Sequence, residues 1–188
     1  FVSTPEGLMP YVGDWWMGLP IILGVFIGSL GFPVILNLAR RRTDARRWSL
    51  HTKLTLTVSS LLVVVGAVAI GSFEWRNPET FGPLDGPTKV LASIFASVMP
   101  RSGGFSTVDT GAMNEATWLL TDALMFVGGG SAGTAGGIRV TTLAVLMLAI
   151  LAEARGDHDL EAFGRRIPRE TLRLSIAVAF IGATTVLV

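Results

Sequence analysis

Apolar residues run without a charge over residues 15–39, 54–73 and 174–188, and a further apolar stretch, 113–153, is interrupted in its middle by GGGSAGTAGG at 128–137. One crossing of the hydrocarbon core takes about 20 residues. Residues 117–152 as a single helix would measure about 54 Å at 1.5 Å per residue. Six of the ten residues at 128–137 are glycine, and each costs a helix about 1 kcal/mol relative to alanine. The pattern therefore predicts two shorter helices joined by a loop within the membrane. Such a loop survives at that depth only beside packed protein or a polar cavity. A shorter apolar run, 88–99, follows Asp85–Gly86–Pro87 and stops at Pro100. These are helix start and stop signals, and the helix they bound, about 18 Å long, covers half a bilayer. The first run carries Gly24, Gly28, Gly31 and Pro33, which suggests a spanning helix over 15–38 with close packing and a proline kink.

Half of the 188 residues are hydrophobic and 15 % are charged, which makes the class a polytopic membrane protein. The placement of charge matters more than its net value of +1. Residues 40–53 hold five arginines and a lysine against one aspartate. The positive-inside rule puts them in the cytoplasm, and the flanking spans favour that reading over a nucleic-acid patch. Residues 153–170 are then cytoplasmic again and 74–87 external. Trp75, Tyr11, Trp15, Trp16 and Trp118 fall at the external interface and Trp48 at the cytoplasmic one. Between 74 and 115 the acids Glu74, Glu79, Asp85, Asp109 and Glu115 outnumber Arg76, Lys89 and Arg101, a balance suited to a mouth that receives cations. On this topology the helix over 88–99 enters and returns on the external side. Its C-terminus points partial negative charge into the membrane, and the RSGGFSTVD turn after it leaves backbone carbonyls available. Both features favour a partly dehydrated cation. The chain starts without Met and stops inside an apolar run, as a segment of a longer protein would.

Three other chemistries fit less well. The 128–133 stretch satisfies GxGxxG with Glu153 twenty residues on, but a dinucleotide fold needs a βαβ setting. Asp157, His158 and Asp159 are adjacent and cannot all converge on a metal. No hydrolase, transferase or redox constellation is present, and without cysteine there is no disulfide or thiolate site. A broken-helix sodium-coupled carrier explains the glycines but not the separate short helix. A non-conducting accessory subunit explains neither.

Four motifs carry a family resemblance: GSLGFPVILNL (28–38), RRWSLHTKL (46–54), SVMPRSGGFSTVDTGAMN (97–114) and MFVGGGSAGTAGGIRVTT (125–142). In this order and spacing the chain resembles the membrane subunit of the bacterial Trk/Ktr/HKT superfamily of potassium transporters. The resemblance implies an all-α fold of potassium-channel-like repeats, each a membrane helix, a re-entrant pore loop and a second membrane helix. It is present here as a fragment: 1–39 ends repeat two, 40–53 is a basic loop, 54–152 is repeat three, 153–170 is a loop, and 171–188 opens repeat four. The family filter commonly reads TAGF–N/S–T. Gly104 falls on its characteristic glycine, while Ser102 and Gly103 depart from it. The resemblance implies potassium ligation by the backbone carbonyls of Ser102, Gly103, Gly104 and Phe105, with missing repeats of the same chain completing the ring. Phe105 is expected as a buried anchor behind the backbone. Arg101 is expected to brace the loop, and Asp122 to support it, in a pair with Arg101. The gating loop would comprise Gly128, Gly129, Gly130, Ser131, Ala132, Gly133, Thr134, Ala135, Gly136 and Gly137, with Arg139, where many relatives have lysine, beneath it. The family further implies K+ as cargo, Na+ as a coupling or activating ion, a homodimer in the lipid bilayer and a cytosolic nucleotide-binding regulatory subunit.

Overall fold

The computed structural model describes residues 7–41, 47–130, 133, 137–155, 161–162, 165–166 and 169–187. Among these, seven α-helices follow one another: α1 Trp15–Leu30, α2 Phe32–Arg41, α3 Leu50–Glu74, α4 Gly86–Ser102, α5 Glu115–Phe126, α6 Val140–Arg155 and α7 Arg169–Leu187. A two-residue antiparallel ladder, β1 Glu161–Ala162 with β2 Arg165–Arg166, lies between α6 and α7.

Helix α3 is capped by Ser49, whose hydroxyl accepts from the Thr52 N–H at 3.1 Å. It is the one described helix long and apolar enough to cross a membrane alone. Its buried residues are mostly small or polar, namely Thr52, Thr55, Ser59, Gly66, Gly71 and Glu74, with Leu54 and Ile70 beside them. Several branched residues face outward, among them Leu61, Val64, Val65 and Val68, the last 67 % exposed. This polarity, small and polar inward and apolar outward, is that of a helix solvated by lipid or by other helices. It lets α4 approach closely. Ser97 of α4 donates to the Val63 carbonyl at 2.9 Å, and a Cβ on Gly66 would fall 2.4 Å from the Ser97 hydroxyl.

Helix α4 is the centre of the fold and packs on α1, α3 and α5. Leu91, Phe95, Val98 and Met99 meet Ile22 of α1 on one side. On the other, Ala92 joins Ile70, Phe81, Val108, Met113 and Leu124. The helix extends beyond the 88–99 expected from sequence because Pro100 removes a donor without ending the turn. The N–H groups of Gly103 and Gly104 both return to the Met99 carbonyl, at 2.8 and 3.0 Å, and close the last turn past the proline.

The span expected over 15–38 is not one helix. Helices α1 and α2 meet at 98° across Gly31, whose φ of 88° belongs to glycine. The Gly31 carbonyl accepts from Val34 and Ile35 and so opens a new helix. Pro33 stands in the first turn of α2, where its missing N–H is no loss; it starts a helix instead of kinking one. Gly24, expected on a packing face, has nothing within 4 Å of a built Cβ, and Gly18 makes that contact instead, against Leu91.

Candidate functional site

The chain leaves the Glu74 end of α3, turns through residues 75–85, runs down α4 and climbs back to Asn114, whose N–H donates to the Glu74 carboxylate at 2.8 Å. Departure and return at one side chain make the α4–loop unit re-entrant. Its depth follows from Arg101, which bonds Ser59, fifteen residues along α3 from Glu74 and thus about 22 Å away.

At the bottom of this unit Ser102 is the last residue of α4, not part of the extended turn. Gly103 lies against Val25 of α1 and Met99. Gly104 has φ +68° with nothing within 4 Å of a built Cβ, so its backbone angle alone demands glycine. Among the described residues no backbone amide donates to the carbonyls of Gly103, Gly104, Phe105 or Ser106. Ser106 turns its hydroxyl onto the Val108 carbonyl and takes the Val108 N–H at 3.3 Å. Phe105 is 38 % exposed, which corrects the expectation of a buried anchor. It lines a recess of about 220 Å³ with Gly104, Pro100, Thr121 and Met125. Among the described residues no cluster of His, Cys, Asp or Glu could hold a metal ion.

Arg101 is 4 % exposed. Its guanidinium donates to the Ser59 carbonyl (3.3 Å), the Ser59 hydroxyl (3.4 Å) and the Gly128 carbonyl (3.3 Å). The expected pair with Asp122 does not form: Asp122 is exposed on α5, while the Arg101 fork is turned to α3 and to the start of the glycine loop. Arg101 also sits in the last turn of α4, where a cation offsets the negative end of the helix dipole. The field expected to favour a permeating cation is thereby partly met by the protein's own charge.

The glycine stretch interrupts the helix as expected: α5 stops at Phe126 and α6 starts at Val140. Its neck is closed by a parallel bridge between Val127 and Ile138, with Gly128 N–H on the Ile138 carbonyl (2.9 Å) and Ile138 N–H on the Phe126 carbonyl (2.8 Å). Gly130 donates to the Ser29 carbonyl at 2.7 Å, and a Cβ there would fall 2.1 Å from the Leu30 carbonyl oxygen. The break between α5 and α6 therefore rests on the break between α1 and α2. Ser131, Ala132, Thr134, Ala135 and Gly136 lie outside the described residues, as do Asp157, His158 and Asp159. Arg139 is exposed immediately before α6, beside a groove against α7 that includes Thr142 and Ser175, and near enough to His51 for their charges to interact.

Sequence reading missed Glu74 as a structural centre and counted it among the acids of an open mouth. It is 0 % exposed, with both oxygens engaged. A carboxylate in the register of the buried stripe Ser59–Gly66–Ile70 was the available signal.

A family model described as TrkH, cation transport protein, matches residues 1–187. The Ktr system potassium uptake protein B of Bacillus subtilis is 38 % identical over 179 residues, covering 95 % of this chain and 40 % of that protein. The protein of the same name from Vibrio alginolyticus is 33 % identical over 183 residues, covering 96 % and 40 %. The potassium/sodium uptake protein NtpJ of Enterococcus hirae is 33 % identical over 160 residues, covering 84 % and 34 %. The chain thus spans about 40 % of the length of the first two relatives. The crystal structure of the potassium transporter TrkH from Vibrio parahaemolyticus superposes with a TM-score of 0.68 over 94 % of this chain and 38 % of that one, at 15 % identity, and shares the fold. With the re-entrant unit, the broken helix and these matches together, the chain belongs to the TrkH family of cation transport proteins.

Proposed function

We propose that the full-length protein takes up potassium through a selective, gated membrane pore, and that this chain is the end of its second repeat, its complete third repeat and the start of its fourth. The observation that carries the reading is the loop at 103–106: four carbonyls without amide partners among the described residues, at the foot of a buried helix and held at the level of Ser59. Rings of such carbonyls replace the hydration shell of a potassium ion, and the two Ktr relatives are named potassium uptake proteins. Of the four residues expected from the sequence, Gly103, Gly104 and Phe105 fall within this loop and supply carbonyls to one quarter of the ring; Ser102 closes α4 just before them, and the other repeats supply the rest.

The glycine loop at 128–137 is the movable barrier below that filter. Its support is twofold: among the described residues the loop meets a second helix break through the Gly130 amide, and Arg139 stands immediately before α6, at the positive end of its dipole. A charge beside the membrane-embedded loop reads as functional; here it opposes cation passage while the loop is closed. The name of the Enterococcus relative favours a part for Na+ as coupling or activating ion. The Ktr relatives are each named as one protein of a system, which fits a homodimer working with a cytosolic nucleotide-binding subunit. The test is ion flux through the purified full-length protein in liposomes, with K+, Na+ and Rb+ varied separately. Preferred K+ uptake is expected; equal passage of K+ and Na+ rejects the potassium filter, and strict coupling of every K+ to Na+ favours a carrier.

A further inference from the structure

Glu74 holds the re-entrant unit by both of its ends. Its Oε2 accepts from Asn77 Nδ2 and from the Thr80 hydroxyl, both at 2.7 Å. Its Oε1 accepts from the Asn114 N–H at 2.8 Å and from the Thr117 hydroxyl. Asn77 and Thr80 lie on the way into α4; Asn114 and Thr117 lie where the loop rejoins α5. The Asn77 amide cannot turn over, because Nδ2 also donates to the Ala112 carbonyl (2.9 Å) while Oδ1 accepts from the Glu79 N–H (3.1 Å). Asn114 Nδ2 closes the circuit on the Phe73 carbonyl at 2.9 Å, and the Trp118 indole holds the Thr110 carbonyl at 2.7 Å.

Each oxygen of Glu74 thus meets one N–H group that can only donate and one hydroxyl. An amide in its place would aim its NH2 at either Asn77 Nδ2 or the Asn114 N–H. The site is built for a carboxylate, which accepts at both oxygens, and hydrogen bonds to an ionised acceptor are about twice as strong as neutral ones. Between its ends the described residues of the loop are held by the Met99 carbonyl at the foot, the Ser106 hydroxyl in the turn and the burial of Val108 and Met113, while Gly104 and Phe105 are exposed.

We infer that Glu74 is a positioning residue for ion selection. Its carboxylate clasps the two limbs of the pore loop together and so fixes where the carbonyls of 103–106 stand. The inference rests on the reading of those carbonyls as the filter. A cation pore that discriminates by the number and placement of carbonyls loses discrimination when they loosen, before it loses the ability to pass ions.

The test uses the full-length protein in liposomes, reading initial K+ and Na+ uptake separately together with the amount of folded protein. Glu74→Gln is expected to lower the K+/Na+ uptake ratio by about tenfold, the scale of losing one hydrogen bond to a charged group, with Na+ uptake rising in absolute terms. Thr80→Val and Thr117→Val keep the charge and remove one hydroxyl each. Either is expected to lower the ratio by roughly threefold, and the pair together by more. A variant that merely unfolds a fraction of molecules lowers K+ and Na+ uptake in parallel and leaves the ratio alone. That parallel loss in the threonine variants overturns the inference, as does an unchanged ratio in folded Glu74→Gln. If Glu74→Gln does not fold, the threonine pair decides by the same criterion. A wild-type protein that does not discriminate K+ from Na+ overturns the potassium filter itself, and the clasp with it.

Discussion

Substituting Gly104 by serine separates backbone strain from steric clash. The φ of +68° and the empty space around a built Cβ mean that the new side chain touches nothing but puts an L-residue into left-handed backbone. That conformation costs roughly 1–2 kcal/mol. The N–H groups of Gly103 and Gly104 precede the rotated bond, so their bonds to the Met99 carbonyl survive, and α4 stays capped. The chain relieves the strain by rotating about φ of residue 104, which swings the carbonyls that follow. If the whole strain appears as displaced ligands, the K+/Na+ permeability ratio falls by a factor of about 5–30, while membrane insertion and thermal stability change little. Gly24→Ala is the matching control: it is helical with nothing within 4 Å, so alanine is expected to stabilise by about 0.5–1 kcal/mol and to leave the ratio alone. Reversal potentials of the full-length protein measure both. A folded Gly104→Ser protein with the wild-type ratio would refute the assignment of Gly104 to the filter.

The remaining expectations are more direct. With single cysteines at Thr43, Pro83 and Gly156, an impermeant thiol reagent on intact cells should label Pro83→Cys alone; labelling at Thr43 but not at Pro83 reverses the topology. Gly130→Ala drives a methyl group to 2.1 Å from the Leu30 carbonyl and should lift the loop off the α1–α2 break, raising basal flux; deletion of 131–134 should raise it further and weaken control by a regulatory subunit, and wild-type flux in both would leave the loop as scaffold. Arg101→Ala removes donors from two carbonyls and a hydroxyl and should cost about 1.5–3 kcal/mol, read as a lower unfolding midpoint in detergent; an unchanged midpoint would mean these long bonds contribute nothing.

Elements whose signals are local were legible in the sequence. The pore helix announces itself by Asp85–Gly86–Pro87, and the interrupted helix by its glycines, because capping and helix propensity act over a few residues. The bend at Gly31 escaped because it interrupts direction without interrupting apolarity: a hydropathy pattern carries no trace of a single positive φ. Glu74 escaped for another reason. Two of its donors, Asn114 and Thr117, lie 40 and 43 residues away, so its role exists only once the chain has folded back. The Arg101–Asp122 pair was proposed from opposite charge and proximity in an imagined bundle. The guanidinium instead found neutral oxygens on Ser59 and Gly128, 42 and 27 residues distant, and such oxygens are invisible in a list of charges.

The bridge between Val127 and Ile138 has a mechanical consequence. It fixes residue 127 beside residue 138, so the chain that leaves α5 and the chain that enters α6 meet at one closed neck. A neck fixed in this way separates the length of the intervening segment from the register of the helices on either side. That length can change cheaply, since doubling a flexible loop adds only about 0.6 kcal/mol of closure entropy. Insertions and deletions between residues 128 and 137 should therefore be tolerated by the scaffold, and the same changes made at Val127 or Ile138 should not.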